Sequence, residues 1–235
     1  MPVLRDIPLI ISMDAVSLRL GIADTSRLKP ELRTLISELL QSVNDQHLLE
    51  PAIAYKLHEI VYISEDELRL EEGVVLHGSL LPSLLKSAKK LAVLVCTIGP
   101  RLGKKAIEFS SRKETLLELL IDGIGSAAID SLVLEACGVV SGLAFSLGFH
   151  SSSRISPGVP GFPISEQWEL FKLIDAEEIG VRLNSSGAMS PLKSLSTTIG
   201  IGHDMPVWSE IKRCNRCIRR ETCPYRRKSE PENEN

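Results

Sequence analysis

Residues 114–147, ETLLELLIDGIGSAAIDSLVLEACGVVSGLAFSL, constrain this chain more than any other segment. Their apolar residues recur at helical spacing around most of the circumference, which predicts a central helix covered on several sides. Gly123, Gly125, Ser126, Ala127 and Ala128 make one section narrow enough for another backbone or a ligand to approach closely. Each glycine costs a helix interior roughly 1 kcal/mol relative to alanine, so the section implies a packing requirement or a break near residue 123. Such a helix needs a sheet or other helices around it, and 235 residues suffice for one large domain or two small ones.

The rest of the chain supplies those partners. Pro30 opens an amphipathic pattern in which Leu32, Leu35, Ile36, Leu39, Leu40 and Val43 stand three and four apart. Segments 50–80 alternate in part and read as short strands bounded by turn residues, followed by a short helix over 81–90 with Pro82 in its first turn. The run LAVLVCTIG at 91–99 reads as a buried strand, with Cys96 as a small core hydrophobe. A Ser/Gly/Pro-rich connector at 148–163 leads to a helix at 165–175, for which Ser165 is a candidate N-cap with Glu166 in the first turn. From residue 179 short alternating runs rich in Ser, Thr and Gly read as strands and tight turns. The expected fold is α+β: a twisted, mostly antiparallel sheet packed against long helices, with a short basic cysteine-containing C-terminal tail. The expected boundaries are a domain at 1–205, the tail at 206–228 and a disordered end at 229–235.

Composition narrows the function classes. No stretch of about 18 apolar residues is free of charge, so no membrane span is expected. The opening MPVLRDIPLI lacks a basic region and a small-residue cleavage site, and reads as part of the fold. Aromatic residues make up only 4% of the chain, which disfavours a surface that stacks nucleobases. Five cysteines, three of them crowded at one end, fit a reducing cytoplasm better than a disulfide framework. The net charge of −3 is uneven, +7 within 212–228 and −10 elsewhere, as in an acidic body with a basic appendage. His58, His77 and His150 form no spaced cluster, and no Ser-His-Asp order, phosphate-binding loop or dinucleotide glycine fingerprint is present.

The connector RISPGVPGFP at 154–163 is the most informative short segment. Pro157 fixes its own φ and holds Ser156 extended, while Gly158 and Gly161 permit turns closed to other residues. Such a loop can bring backbone groups against a ligand. Arg154 adds a planar permanent cation suited to gripping a carboxylate through two parallel hydrogen bonds. On composition alone an ordinary surface loop with a solvated arginine stays open as the alternative.

In order, RISPGVPGFP, Glu166-Gln167, LFKLID (170–175), IGVRLNSSGAMSP (179–191) and KSLSTTIG (193–200) resemble the activation domain of cobalamin-dependent methionine synthase. TIGPRLGKKAIEF and LLIDGIGSAAID upstream are similar too, so the resemblance covers about 90–202 and is weaker over 1–89. It implies S-adenosylmethionine as ligand. Arg154 would meet the ligand carboxylate, Ser156 and Gly158 would meet the ligand through their backbones, and Asp130 on the long helix would supply the acidic contact, one methylene shorter than the family's glutamate. Where that family has a tyrosine after the first loop glycine, this chain has Val159, with Phe162 as an apolar substitute.

The function so implied is reductive methylation of cobalamin carried by a separate corrinoid methyltransferase, with a flavodoxin or ferredoxin-type electron donor. The chain lacks a D-x-H-x-x-G cobalamin-ligating signature and room for substrate barrels, so cobalamin is expected on the partner. The tail presents Cys214, Cys217 and Cys223 as C-x2-C-x5-C, which suits zinc or an iron–sulfur cluster, with Arg and Lys neighbours favouring thiolates. Three rival readings stay open: a corrinoid-docking module that has lost S-adenosylmethionine, a zinc-ribbon nucleic-acid binder, and a redox protein centred on the tail.

Overall fold

The computed structural model describes residues 1–22, 25–208, 214 and 221–223. Nine strands are present among them: β1 (Val3–Arg5), β2 (Ala52–Ile63), β3 (Glu67–Leu70), β4 (Val75–His77), β5 (Ala88–Thr97), β6 (His150–Ser151), β7 (Arg182–Leu183), β8 (Met189–Ser190) and β9 (Ser194–Gly202). The α-helices are α1 (Met13–Arg19), α2 (Pro30–Asp45), α3 (Leu80–Leu84), α4 (Arg101–Ser111), α5 (Thr115–Ser146) and α6 (Glu166–Leu173). The main sheet runs β4-β3-β2-β5-β9-β6, with β1 paired to the start of β2, and β7-β8 form a separate hairpin. Every strand pairing is antiparallel, as the sequence predicts.

The sheet is covered on both faces, which is why β5 reads as a continuous apolar run. Ala92, Leu94 and Cys96 point into a core shared with α1, α2, α4 and α5. Leu91, Val93 and Val95 point into a second core closed by α3, α6 and Phe162. The central helix is unbroken. Its two glycines answer a packing requirement: a Cβ on Gly123 would come within 2.8 Å of Leu20 Cδ2, and one on Gly125 within 2.6 Å of Leu102 Cδ2. α5 is long and apolar enough to cross a membrane by length and composition alone, contrary to the charge-free-run criterion. Here it packs against α1, α4 and the sheet, as the core helix of a globular fold does.

Two sequence expectations need correction. The helix expected over 81–90 ends at Leu84, and β5 begins at Ala88, because 88–90 pair with β9 and β2. Partner strands there override a polar local sequence. Ser165 is itself helical and its side chain makes no cap hydrogen bond; Glu166, only 7% exposed, instead accepts from the His77 N–H at 2.8 Å and ties α6 to β4.

A buried histidine braces the β3–β4 end of the sheet. His58 is 1% exposed, and its Nδ1 lies 2.6 Å from Glu72 Oε1, with Lys56 Nζ 3.8 Å from the same oxygen. Partial burial of Glu72 pushes its carboxyl up, but the His58 hydrogen bond, a backbone hydrogen bond and the charges of His58 and Lys56 outweigh it, and the pKa is lowered. A carboxylate with a depressed folded pKa adds stability above its unfolded pKa and loses it as pH falls through the folded value. Glu72→Gln should therefore lower stability at pH 7 by about 0.5 kcal/mol, since Glu72 is 39% exposed and water screens it. The gap between the two melting curves should close below about pH 4; a gap independent of pH would remove the electrostatic account.

Candidate functional site

The connector after α5 becomes an accessory edge of β9. Ser152 N–H donates to the Gly200 carbonyl at 2.8 Å, and Gly200 N–H donates to Ser152 Oγ at 2.9 Å. Ile155 and Thr198 exchange backbone hydrogen bonds of 2.8 Å, and the hydroxyls of Thr197 and Thr198 both donate to the Ile155 carbonyl. Those hydroxyls are buried in mid-sheet, so the sequence's Ser/Thr run is satisfied by the connector. Extended backbone alternates its side chains. Ile155 enters the second core, and its neighbours Arg154 and Ser156 line a cavity beside it.

Beyond Ser156 the loop closes in a four-residue turn. Gly158 N–H donates to the Phe162 carbonyl at 2.9 Å, and Phe162 N–H donates to the Val159 carbonyl at 3.0 Å. Pro160 and Gly161, with φ +80°, occupy the central positions, the pairing a type II turn favours. Phe162 is fully buried and pins the turn to the second core, while Leu80 N–H donates to the Gly161 carbonyl at 2.9 Å.

Two hollows meet at Arg154. One is a cavity of 580 Å³ whose walls include Leu80, Leu84, Ser156, Val159 and Trp208. The other is an open cleft of 1160 Å³ bordered by Lys86, Leu134, Cys137, Ser141, Phe145 and His203. Arg154, Ser83, Leu84 and Trp208 belong to both. Among the described residues only three buried side-chain nitrogen or oxygen atoms lack a hydrogen-bond partner: His58 Nε2, Arg154 Nε and Ser156 Oγ. Two of the three belong to Arg154 and Ser156, residues that line the 580 Å³ cavity. Leaving a buried donor unpaired costs about 1–3 kcal/mol, more when it is charged, so an acceptor that reached either atom would recover that cost. The Arg154 charge also reaches Cys96: burial and Cys137 push the Cys96 thiol far up, and Arg154 offsets part of that rise. Cys96 is thereby a protonated core side chain, in line with its sequence reading.

The expected site residues are only partly assembled. Arg154 and Ser156 share the cavity wall. Gly158 is exposed, outside the cavity lining, with its N–H committed within the turn. Asp130 lies one helical turn before Leu134 on the α5 stripe that borders the cleft. It lines neither hollow and forms an ion pair with Arg19 of α1. Phe162 does not line the cavity in place of the missing tyrosine, because it is core. Trp208 supplies an aromatic wall that the sequence reading did not find, since nothing local marks a tryptophan 54 residues downstream as a neighbour of Arg154. In the tail, Cys214 lines the cavity, Cys223 is half-buried, and Cys217 and 229–235 lie outside the described residues. Among the described residues no three His, Cys, Asp or Glu side chains are grouped to hold a metal.

No protein-family model matches the chain, and no curated protein matches it in sequence. Among solved structures it is similar to the crystal structure of the MetH reactivation domain bound to AdoHcy, with a TM-score of 0.69 over 89% of this chain and 81% of that chain, at 15% identity. The chain has the MetH reactivation-domain fold. The reactivation fold extends the resemblance seen in the sequence: at 89% coverage it takes in most of the region before residue 90, where motifs gave little. In this chain that region contributes α1, α2 and the β1–β4 half of the sheet to the reactivation fold.

Proposed function

We propose that this chain binds S-adenosylmethionine, or its demethylated product, in the 580 Å³ cavity, and supports reductive methylation of cobalamin on a separate corrinoid methyltransferase. The supporting observation is that Arg154 and Ser156, each carrying a buried polar atom without a partner, line one cavity of a fold seen with AdoHcy bound in MetH. The guanidinium would grip the amino-acid carboxylate by charge-assisted hydrogen bonds, and Ser156 would satisfy a second polar group. Leu80, Leu84, Val159 and Trp208 would pack the apolar parts of the ligand and exclude water. Because the Gly158 N–H is already used, any backbone contact from Gly158 runs through its carbonyl. Asp130 would act on the ligand only by exchanging Arg19 for it.

When bound, S-adenosylmethionine supplies the methyl group and cobalt on the partner accepts it; the chain contributes position and a dry, charged wall. The 1160 Å³ cleft, open and continuous with the cavity at Arg154, is the approach for the corrinoid partner in this reading. An electron donor of flavodoxin or ferredoxin type and a cytoplasmic setting belong to the same proposal.

Calorimetric titration of the whole chain with S-adenosylmethionine is expected to show one site. A flat thermogram, repeated with S-adenosylhomocysteine, would overturn the ligand assignment and favour the docking-module reading.

A further inference from the structure

We propose that Gly78 and Gly161 are positioning residues: packed one against the other, they set the gap between two walls of the 580 Å³ cavity, and with it the size of ligand that fits. The inference rests on the S-adenosyl reading of the cavity and assigns the source of its selectivity. One wall is α3, which contributes Leu80, Ser83 and Leu84; the other is the connector, which contributes Val159 and Pro160. Gly78, with φ +122°, turns the chain from β4 into α3, and its N–H donates to the Asp66 carbonyl at 2.7 Å. With the His77 N–H held by Glu166, this junction is fixed to the sheet and to α6. From the other wall, the Gly161 carbonyl accepts from Leu80 N–H, so the two walls meet at this pair of glycines.

Neither position has room for a side chain. A Cβ on Gly78 would stand 2.4 Å from the Gly161 carbonyl oxygen and 3.0 Å from Pro163 Cδ. One on Gly161 would stand 2.9 Å from Ser79 Oγ, 3.1 Å from Leu80 Cβ and 3.2 Å from Leu80 N. Backbone atoms in a close-packed contact yield only when their segment moves. Relief of the first clash from 2.4 to 3.0 Å moves the Gly161 carbonyl by about 0.6 Å away from Gly78. Val159 and Pro160 precede Gly161 in the same turn, and Leu80 stands across the contact, so the shift widens the gap that these residues line. A pocket that fits its ligand closely discriminates one added methylene by roughly 10- to 200-fold, and a widened gap gives up that discrimination. Gly73 is a matched reference: it has φ +82° in the β3–β4 turn, and nothing lies within 4 Å of where its Cβ would stand. Gly73→Ala therefore carries the left-handed backbone strain without touching the gap.

The test titrates the full chain with S-adenosylmethionine and with two analogues that are each one carbon larger, S-adenosylethionine and S-adenosylmethionine methylated on the adenine amino group. In Gly161→Ala and Gly78→Ala, at least one larger analogue is expected to gain on S-adenosylmethionine by roughly tenfold relative to the wild type. Gly73→Ala should keep the wild-type ratios even where its melting temperature falls. Should Gly78→Ala fail to fold, Gly161→Ala decides. Ratios that stay fixed in the gap variants, or move equally in Gly73→Ala, overturn the proposal and leave the S-adenosyl reading intact, because the wild type still binds. A ligand-independent arm follows hydrogen exchange at the Leu80 amide. With its acceptor displaced, the amide should exchange on the order of tenfold or more faster in the gap variants than in Gly73→Ala; equal rates remove the glycine contact from the wall whatever binds there. A wild-type chain that takes up none of the three ligands overturns the selectivity and the S-adenosyl reading together.

Discussion

Arg154→Ala should bind S-adenosylmethionine roughly 10- to 100-fold more weakly than the wild type, the equivalent of about 1.5–3 kcal/mol for a lost charge-assisted hydrogen bond. Folded stability should change by less than about 1 kcal/mol, because the substitution removes a buried donor that has no partner among the described residues. That pairing of outcomes separates a ligand-gripping arginine from a structural one, whose loss lowers both. Arg154→Lys keeps the charge but not the planar fork, and should recover only part of the affinity. Calorimetry at constant ionic strength with melting curves alongside reads both quantities. Unchanged affinity in the alanine variant would remove the carboxylate from this wall.

Phe162→Ala should have the largest effect on the fold. Phe162 is fully buried in the second core, among the largest side chains with no exposure, and truncation of such a ring costs about 3–5 kcal/mol through lost burial and the cavity left behind. The same ring holds the turn that presents Val159 and Pro160 to the ligand cavity, so binding should weaken even where the variant remains folded. Phe162→Leu should restore most of the stability. Denaturant unfolding with ligand titration at a temperature well below the transition measures the two effects separately; an alanine variant as stable as wild type would show the turn to be anchored elsewhere.

Much of the architecture is legible in the sequence because burial leaves a period. α2 follows its three-and-four spacing from Pro30, β5 is apolar on both faces because both are covered, and α5 is apolar beyond its buried stripe, with Leu116, Leu119, Leu134 and Phe145 exposed. The loop that lines the candidate cavity stands out in the sequence because few residues other than Pro and Gly permit its turn, with Arg154 as the cation that opens it. What stayed hidden is what depends on distant partners. β9 is a single nine-residue strand whose middle, Ser196, Thr197 and Thr198, is buried, and the partners that satisfy it, the Ile155 carbonyl and the Gln167 side chain, lie far off in sequence. Ala88-Lys89-Lys90 looks helical until β9 and β2 recruit it. The Arg19–Asp130 pair spans 111 residues of sequence, and Trp208, a wall of the cavity, is held to Ser153 from 55 residues away.

Leu20 and Leu102, seated against Gly123 and Gly125, act as two keys in notches on one shaft. They fix the phase of the long helix, and with it which residues look onto the cleft a few turns later. An α-helix turns by about 100° per residue. Adding or deleting one residue between Gly125 and Leu134 would therefore swing Leu134, Cys137, Ser141 and Phe145 away from Arg154 together, although none of them had been altered. A change of length in this segment is therefore more disruptive than an exchange of side chains, because contacts outside the site set its register.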